Sequence, residues 1–151
     1  MLKKKIFRGY IFSRRIEDSI IPQRVQNLVI KDYCERNNLF FKLSATEYKM
    51  DNCYLMLKSV LKNIQSINGI VFYSMFMLPN LKKDRLEIFK LIIKKKKMIR
   101  FALEEIVLKD KSNIDDIENL YLIKKNSWIY GNRSFKKIPK NKKKSFKKKN
   151  W

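Results

Sequence analysis

Residues 70–73 read Ile70-Val-Phe-Tyr73 and follow directly on the dipeptide Asn68-Gly69. Asn-Gly is typical of a tight turn. An uninterrupted apolar run of four residues is typical of a strand that is covered on both faces, as strands in parallel sheets are. This run therefore predicts an α/β protein and places residues 70–73 at the centre of its sheet.

Three further apolar runs have the length of strands, and helical patterns separate them. The runs are Ile6–Phe12, Leu39–Leu43 and Met98–Leu103. Helical spacing of apolar residues follows Pro22, Asp51 and Asn80, each of which suits a helix start. Strands that alternate with helices imply crossover connections, so the sequence predicts a three-layer α/β sandwich with a four-stranded, mainly parallel sheet.

The composition indicates a folded and strongly basic protein. The 151 residues are 45% hydrophobic, and 36 Lys and Arg against 14 Asp and Glu give a net charge of +22. Such a surface attracts polyanions, for example nucleic acid, acidic lipid or phosphorylated sugars. Lys, Ile and Asn are all heavily used, which an AT-rich coding sequence also produces. Two causes of the positive charge therefore stay open: binding of a polyanion, and the codon bias of an AT-rich coding sequence.

The residues that the chain lacks exclude several classes of site. It contains no His, which excludes Ser-His-Asp triads, Cys-His dyads and His-ligated metals. Cys34 and Cys53 are too few for a zinc cluster and favour reduced thiols in a cytoplasmic protein. The three glycines are isolated, so no Gly-rich phosphate loop is present. We expect neither a metal nor a cofactor, and the uncharged stretch Asn63–Leu81 has too short an apolar part to span a bilayer.

The end of the chain differs from the rest. Residues 132–151 contain ten Lys or Arg and no acidic residue. A segment with so many like charges is typically disordered. We therefore predict one α/β domain over residues 1–130 and a Lys-rich disordered tail over residues 131–151, through which the protein would contact an acidic membrane surface or nucleic acid.

Polar side chains follow every predicted strand, and the carboxyl ends of parallel strands meet at one edge, where such sheets bind ligands. Three of them are candidates for catalysis, with the two carboxylates acting in proton transfer or binding sugar hydroxyls: Ser13, Glu47 and Glu104. The candidate ligand-binding residues are Arg14, Gln23, Gln26, Asn27, Ser44, Thr46, Tyr48 and Ser74. Arg14 would hold a phosphate or carboxylate. Ordinary capping, turn and surface roles are the alternative for these residues.

Over about residues 6–105, the chain resembles the catalytic domain of serine recombinases, the resolvases. The likeness is carried by Gly9, Tyr10, Gln23 and the run Gly69–Leu78. It implies the strand order 2-1-3-4. The recombinase active site is missing, because the nucleophilic Ser four residues after the Tyr is Arg14 here and the Arg two residues after it is Phe12. The family's Asp-Arg-Leu-x-Arg segment aligns with Phe76–Asn80. The sequence therefore predicts no strand cleavage by that mechanism.

Over about residues 8–105, the chain is also similar to the sporadic carbohydrate cluster family, small proteins encoded in surface-polysaccharide gene clusters. The segments that carry this similarity are Gly9–Arg14, Pro22–Asn27, Asp32–Cys34, Leu43–Tyr48, Cys53, Tyr73–Ser74, Leu78–Pro79 and Phe101–Glu104. The resemblance implies a role in the synthesis of lipopolysaccharide, O-antigen or a similar glycan, and it implies no particular reaction.

Three functional hypotheses follow. In the first, the protein binds or modifies an anionic sugar-containing small molecule, such as a sugar phosphate or nucleotide sugar, at the carboxyl edge of the sheet. In the second, it is a non-catalytic scaffold of a glycan-synthesis complex. In the third, it is a nucleic-acid-binding module with a degenerate recombinase-like fold. Whether the protein is an enzyme stays open.

Overall fold

The computed structural model describes residues 2–135, so most of the predicted tail, residues 136–151, lies outside the described residues. The chain divides into two units, residues 1–121 and residues 122–151. The first unit contains every strand and the first three helices. The described part of the second unit is the continuation of a single helix, which reaches Phe135.

Five strands form one mixed sheet, and two short strands form a separate hairpin. In chain order the strands are β1 (Ile6–Ile11), β2 (Arg15–Ile16), β3 (Ser19–Ile20), β4 (Phe40–Thr46), β5 (Gly69–Phe72), β6 (Met98–Phe101) and β7 (Ile106–Leu108). The order in the main sheet is β4-β1-β5-β6-β7. The first four strands of this order are parallel to one another. They are the four predicted strands, and their order 2-1-3-4 is confirmed.

The fifth strand of the main sheet corrects the predicted count of four. β7 pairs antiparallel with β6, with Phe101 opposite Ile106. It follows a tight turn in which Glu105 has a φ of 55°. The sequence offered little signal for β7, because three apolar residues are too few to show a strand period. Its place at the edge is set by the tight turn, which folds Ile106 back opposite Phe101.

Helices cover both faces of the main sheet. They are α1 (Gln23–Arg36), α2 (Leu55–Lys62), α3 (Lys82–Lys94) and α4 (Ser112–Phe135). On one face, the Arg100 guanidinium lies over the Phe7 ring and donates a hydrogen bond to Tyr33 of α1. On the opposite face, Tyr10 donates to Glu47, which in turn accepts hydrogen bonds from the start of α2. The predicted three-layer arrangement is therefore present.

Gly69 starts the central strand at a place where a side chain has no room. A Cβ there would collide with the Met98 carbonyl oxygen of β6 and would lie 2.6 Å from the Phe7 ring. At Gly9 the collision would be with the Ser44 hydroxyl, which can rotate away at the cost of its hydrogen bond to Asn27, and the Phe41 ring would lie 3.0 Å away. The close approach of the β6 backbone thus explains why a glycine occupies the first position of β5.

We expect Gly69→Ala to lower the free energy of unfolding by about 3 kcal/mol, because the backbone of β6 has to shift. Gly9→Ala, the matched control in the neighbouring strand, is expected to cost about 1 kcal/mol. Urea denaturation of both variants measures the difference. Equal losses in the two variants would show that the sheet adjusts to either methyl group.

Candidate functional site

Glu47 lies at the end of β4 and connects three parts of the fold. Its side chain is almost completely buried, with 3% of the residue exposed. Oε2 accepts hydrogen bonds from the Tyr10 hydroxyl at 2.9 Å and from the Leu57 amide at 3.1 Å. Oε1 accepts from the amides of Tyr48 at 3.0 Å and Met56 at 3.1 Å. The carboxylate therefore satisfies the first amides of α2, a helix whose own N-cap side chain makes no capping bond.

The ionisation of this group does not suit proton transfer near neutral pH. Burial acts to raise the pKa of Glu47, but hydrogen bonds from the amides of Met56, Leu57 and Tyr48 hold that pKa below its ordinary value. Burial raises the pKa of Tyr10 far above its ordinary value, and the negative charge of Glu47 adds to the rise. Glu47 thus stays ionised and Tyr10 stays protonated, so neither is poised as a general acid or base.

Arg14 has the contacts of a structural residue. Only 9% of it is exposed. Its Nη1 donates to the carbonyl oxygens of Met50 and Cys53, at 2.6 Å each. The guanidinium carbon lies 4.5 Å from the centre of the Phe12 ring and 5.0 Å from that of Tyr54. Arg14 therefore holds the loop between β4 and α2, whereas the sequence analysis placed it on the surface as a ligand clamp.

These contacts predict that Arg14→Ala destabilises the fold. We expect a loss of about 2 kcal/mol, because two carbonyl oxygens lose a charged donor and two rings lose a cation. Arg14→Lys is expected to recover less than half, since one ammonium cannot reproduce the planar stacking. Thermal unfolding measures both variants, with Arg24→Ala on the exposed face of α1 as the control. An unchanged melting temperature of Arg14→Ala would show that these contacts of Arg14 do not stabilise the fold.

Three more predicted ligand-binding residues, Gln26, Asn27 and Ser44, join α1 to β4 and to the residues that follow β1 and β3. Gln26 is fully buried, and its Nε2 donates to the carbonyl oxygens of Phe12 at 2.7 Å and Ile21 at 2.8 Å. Its Oε1 accepts from the Phe12 amide at 3.2 Å. Ser44 donates to Asn27 at 2.6 Å. Since every polar atom of Gln26 is used, this side chain positions the segment after β1 rather than a ligand.

Glu104 and Ser74 form a separate pair beyond β5 and β6. The Ser74 hydroxyl donates to Glu104 Oε1 at 2.8 Å, and the Met75 amide donates to Oε2 at 3.1 Å. Ser74 also accepts a hydrogen bond from the Phe76 amide at 3.2 Å. Among residues 2–135, no hydrogen bond or ion pair joins Glu104 to Glu47 or Arg14. Glu47 and Glu104 thus belong to two separate hydrogen-bond networks, and each carboxylate bonds to its own protein groups.

Four of the predicted site residues keep free polar groups. Ser13 and Gln23 are half-buried, and Thr46 and Tyr48 are exposed. Within the described part of the chain, their side chains make no hydrogen bond to protein groups. They are the members of the predicted set that remain available to a ligand.

A groove of about 700 Å³ lies between α2 and α3, away from the predicted site residues. Its lining residues are Asn52, Tyr54, Leu57, Lys58, Leu61, Pro79, Asn80, Leu81, Asp84, Glu87, Ile88 and Leu91. None of the predicted site residues lines it. Over residues 2–135, no cluster of three or more Cys, Asp or Glu has the geometry to hold a metal ion, and no helix is long and apolar enough to cross a membrane.

A buried ion pair that the sequence pattern did not predict joins α3 to α4. Arg85 of α3 is 2% exposed, and its Nε and Nη2 donate to the two carboxylate oxygens of Glu118 at 2.7 and 2.8 Å. The helical spacing of Arg85 with Phe89 and Ile92 could have indicated that Arg85 is buried, because it puts all three on the buried face of α3. Because Arg85 is committed to Glu118, it is not free to bind a phosphate.

The comparison with solved structures returns a resolvase family site-specific recombinase from Streptococcus pneumoniae. The match has a TM-score of 0.59 and covers 85% of this chain and 94% of that chain. The fold is resolvase-like. The sequence identity is 11%, so the similarity extends to the fold alone. No family model matches the sequence, and no curated protein matches it significantly. Nothing in these comparisons supports the resemblance to the sporadic carbohydrate cluster family.

Proposed function

We propose that this protein is a nucleic-acid-binding module with a resolvase-like fold that does not cleave strands by the recombinase reaction. The nucleic-acid part of the proposal rests on the positive charge of the surface, and the non-cleaving part rests on the state of Arg14. This residue stands where the resemblance requires the nucleophilic Ser, and its guanidinium is locked against two carbonyl oxygens and two rings. The neighbouring Ser13 is half-buried and lacks the arginines that the recombinase mechanism requires.

The charge of the surface supports a polyanionic partner. Arg15, Arg36 and Arg85 form ion pairs with acidic residues in the described part of the chain. With 36 Lys and Arg against 14 acidic residues, the excess charge is carried mainly by lysines outside those pairs. Lysines of this kind bind phosphates by releasing counterions, which gives sequence-independent affinity.

The test is a titration of the full chain against fluorescent duplex DNA, single-stranded DNA and RNA at several salt concentrations. We expect binding at about 50 mM salt that weakens by roughly 10³-fold or more at about 200 mM, as for a protein with at least six phosphate contacts. Dextran sulfate serves as the control for unspecific attraction. No binding to any nucleic acid at low salt would contradict the proposal.

Absence of cleavage is tested separately with supercoiled plasmid. We expect the plasmid to stay intact, and no protein to become covalently attached to it. Ser13→Ala is the matched variant, since Ser13 directly precedes in the chain the position of the missing nucleophile. Nicked plasmid with the native chain and intact plasmid with Ser13→Ala would overturn the non-cleaving part of the proposal.

Binding of a sugar phosphate or nucleotide sugar is the second candidate function. It is favoured by the free polar groups of Ser13, Gln23, Thr46 and Tyr48 near the carboxyl edge of the sheet. A thermal-shift screen of nucleotide sugars and sugar phosphates tests it, with Thr46→Val as the variant that removes one of these groups. A rise in melting temperature that Thr46→Val abolishes would support this function; no rise with any compound would contradict it.

A further inference from the structure

Three segments of the first unit meet at the amino edge of the sheet, where the parallel strands begin. They are residues 2–6, which lead into β1, residues 62–69, which run from the last residue of α2 to the first of β5, and residues 93–99, which run from the end of α3 into β6. The Asn68 amide donates to the Ile6 carbonyl at 2.7 Å, and the Met98 amide donates to the Asn68 carbonyl at 3.1 Å. Because β1, β5 and β6 are adjacent, the three segments lie within about 10 Å of one another at the strand starts.

These segments carry an uncompensated positive charge. Their exposed lysines are Lys3, Lys4, Lys5, Lys62, Lys94 and Lys96. No Asp or Glu occurs in any of the three segments, and none of the six lysines takes part in an ion pair of the described residues. We call these six residues the amino-edge surface.

Two further lysines fix the segments in place. Lys95 Nζ donates to the Leu61 carbonyl at 2.8 Å. Lys97 Nζ donates to the carbonyls of Ile67 at 2.6 Å and Gln65 at 3.1 Å. Both ammonium groups thereby satisfy carbonyl oxygens at and beyond the end of α2. In the run of four lysines from 94 to 97, two thus hold the structure together while Lys94 and Lys96 stay exposed.

We infer that the amino-edge surface binds the phosphate backbone of nucleic acid, an inference that rests on the nucleic-acid-binding function proposed above. Lysine ammonium groups contact phosphates as point charges, and phosphate contacts carry no sequence information. Leu2 is the one large apolar side chain exposed in the three segments. Proteins that lie on membranes combine charge with a substantial apolar face, so this surface fits a nucleic acid better than a lipid surface.

The experiment compares two triple variants of the full chain that lose the same charge. Lys62→Gln, Lys94→Gln and Lys96→Gln together remove three charges from the amino-edge surface. Lys31→Gln, Lys82→Gln and Lys83→Gln together remove three equally exposed charges from α1 and from the start of α3. Both triple variants are expected to keep the melting temperature of the native chain, since all six residues are exposed.

Binding to a duplex of about 20 base pairs is then measured over a range of salt concentrations. The amino-edge variant is expected to lower the slope of log affinity against log salt by about 2 to 3, and to weaken binding at least tenfold at about 0.1 M salt. The control variant is expected to change the slope by less than about 1.

The possible failures are distinguishable. If the native chain binds no nucleic acid, the proposed function falls, and the inference falls with it. If the native chain binds but the two triple variants weaken binding equally, the function stands and the amino-edge assignment is overturned. If vesicles containing phosphatidylserine bind the native chain more tightly than the duplex does, and only the amino-edge variant loses that binding, the surface belongs to a membrane partner instead.

Discussion

Replacing Arg85 with alanine is expected to lower the free energy of unfolding by about 4 kcal/mol, because Glu118 is then left as a buried charge without its partner. For a chain of this size, the loss corresponds to a fall in melting temperature of roughly 12 °C. Arg85 also donates to the carbonyls of Pro79 at 3.0 Å and Asn80 at 2.7 Å, and its guanidinium lies 4.0 Å from the Tyr121 ring centre. The exposed Arg24→Ala is the control, expected to change stability little.

A double variant separates the pair from the packing around it. Arg85→Met with Glu118→Leu removes both charges while keeping apolar volume, and we expect it to be more stable than either single variant. Thermal unfolding of the four proteins gives the coupling between the two residues. Additive losses in the double variant would mean that the two side chains contribute independently.

Glu47→Gln is expected to cost about 3 kcal/mol, or roughly 10 °C in melting temperature. The substitution keeps the shape of the side chain but turns an amide nitrogen toward donors, the amides at the start of α2 or the Tyr10 hydroxyl. Glu87→Gln, at an exposed position of α3, provides the matched control and is expected to have almost no effect. A loss as small as that of the control would show that water or another group replaces the carboxylate.

The pH dependence of stability follows from the lowered pKa of Glu47. A carboxyl whose pKa is lower in the folded than in the unfolded chain contributes its full stability above the unfolded value of about 4.3, and that contribution is lost as the pH falls through the folded pKa. The stability of the native chain should therefore fall more steeply below about pH 4 than that of Glu47→Gln. Urea unfolding at a series of pH values tests this, and parallel curves would contradict it.

The parallel part of the sheet was predictable because its strands carry their signal locally. Ile70–Tyr73 is apolar without interruption, and Ile6–Phe12 and Leu39–Leu43 flank helical patterns of the right length. β7 was not predictable, since three residues show no period. Its pairing with β6 is created by the turn at Glu105 and not by its own composition.

The candidate site was predicted less well than the fold. The sequence placed Glu47, Glu104 and Arg14 correctly at strand exits, but it did not reveal what the side chains contact. Glu47 accepts hydrogen bonds from the start of α2, and Arg14 donates to the carbonyls of Met50 and Cys53. Glu104 accepts hydrogen bonds from Ser74 and Met75. A strand exit therefore located these polar groups without showing whether they face a ligand or the protein itself.

The sequence by itself determined the class of sheet and the excess of positive charge, because hydrophobic periodicity and charge are properties of local chain segments. Only the tertiary structure decided which polar groups are satisfied. Hydrogen bonds such as that between Tyr10 and Glu47 join residues far apart in the chain. Burial then makes each bond obligatory, because an unpaired polar group costs free energy once water is excluded. The same contacts decided which lysines hold the fold and which remain exposed at the amino edge.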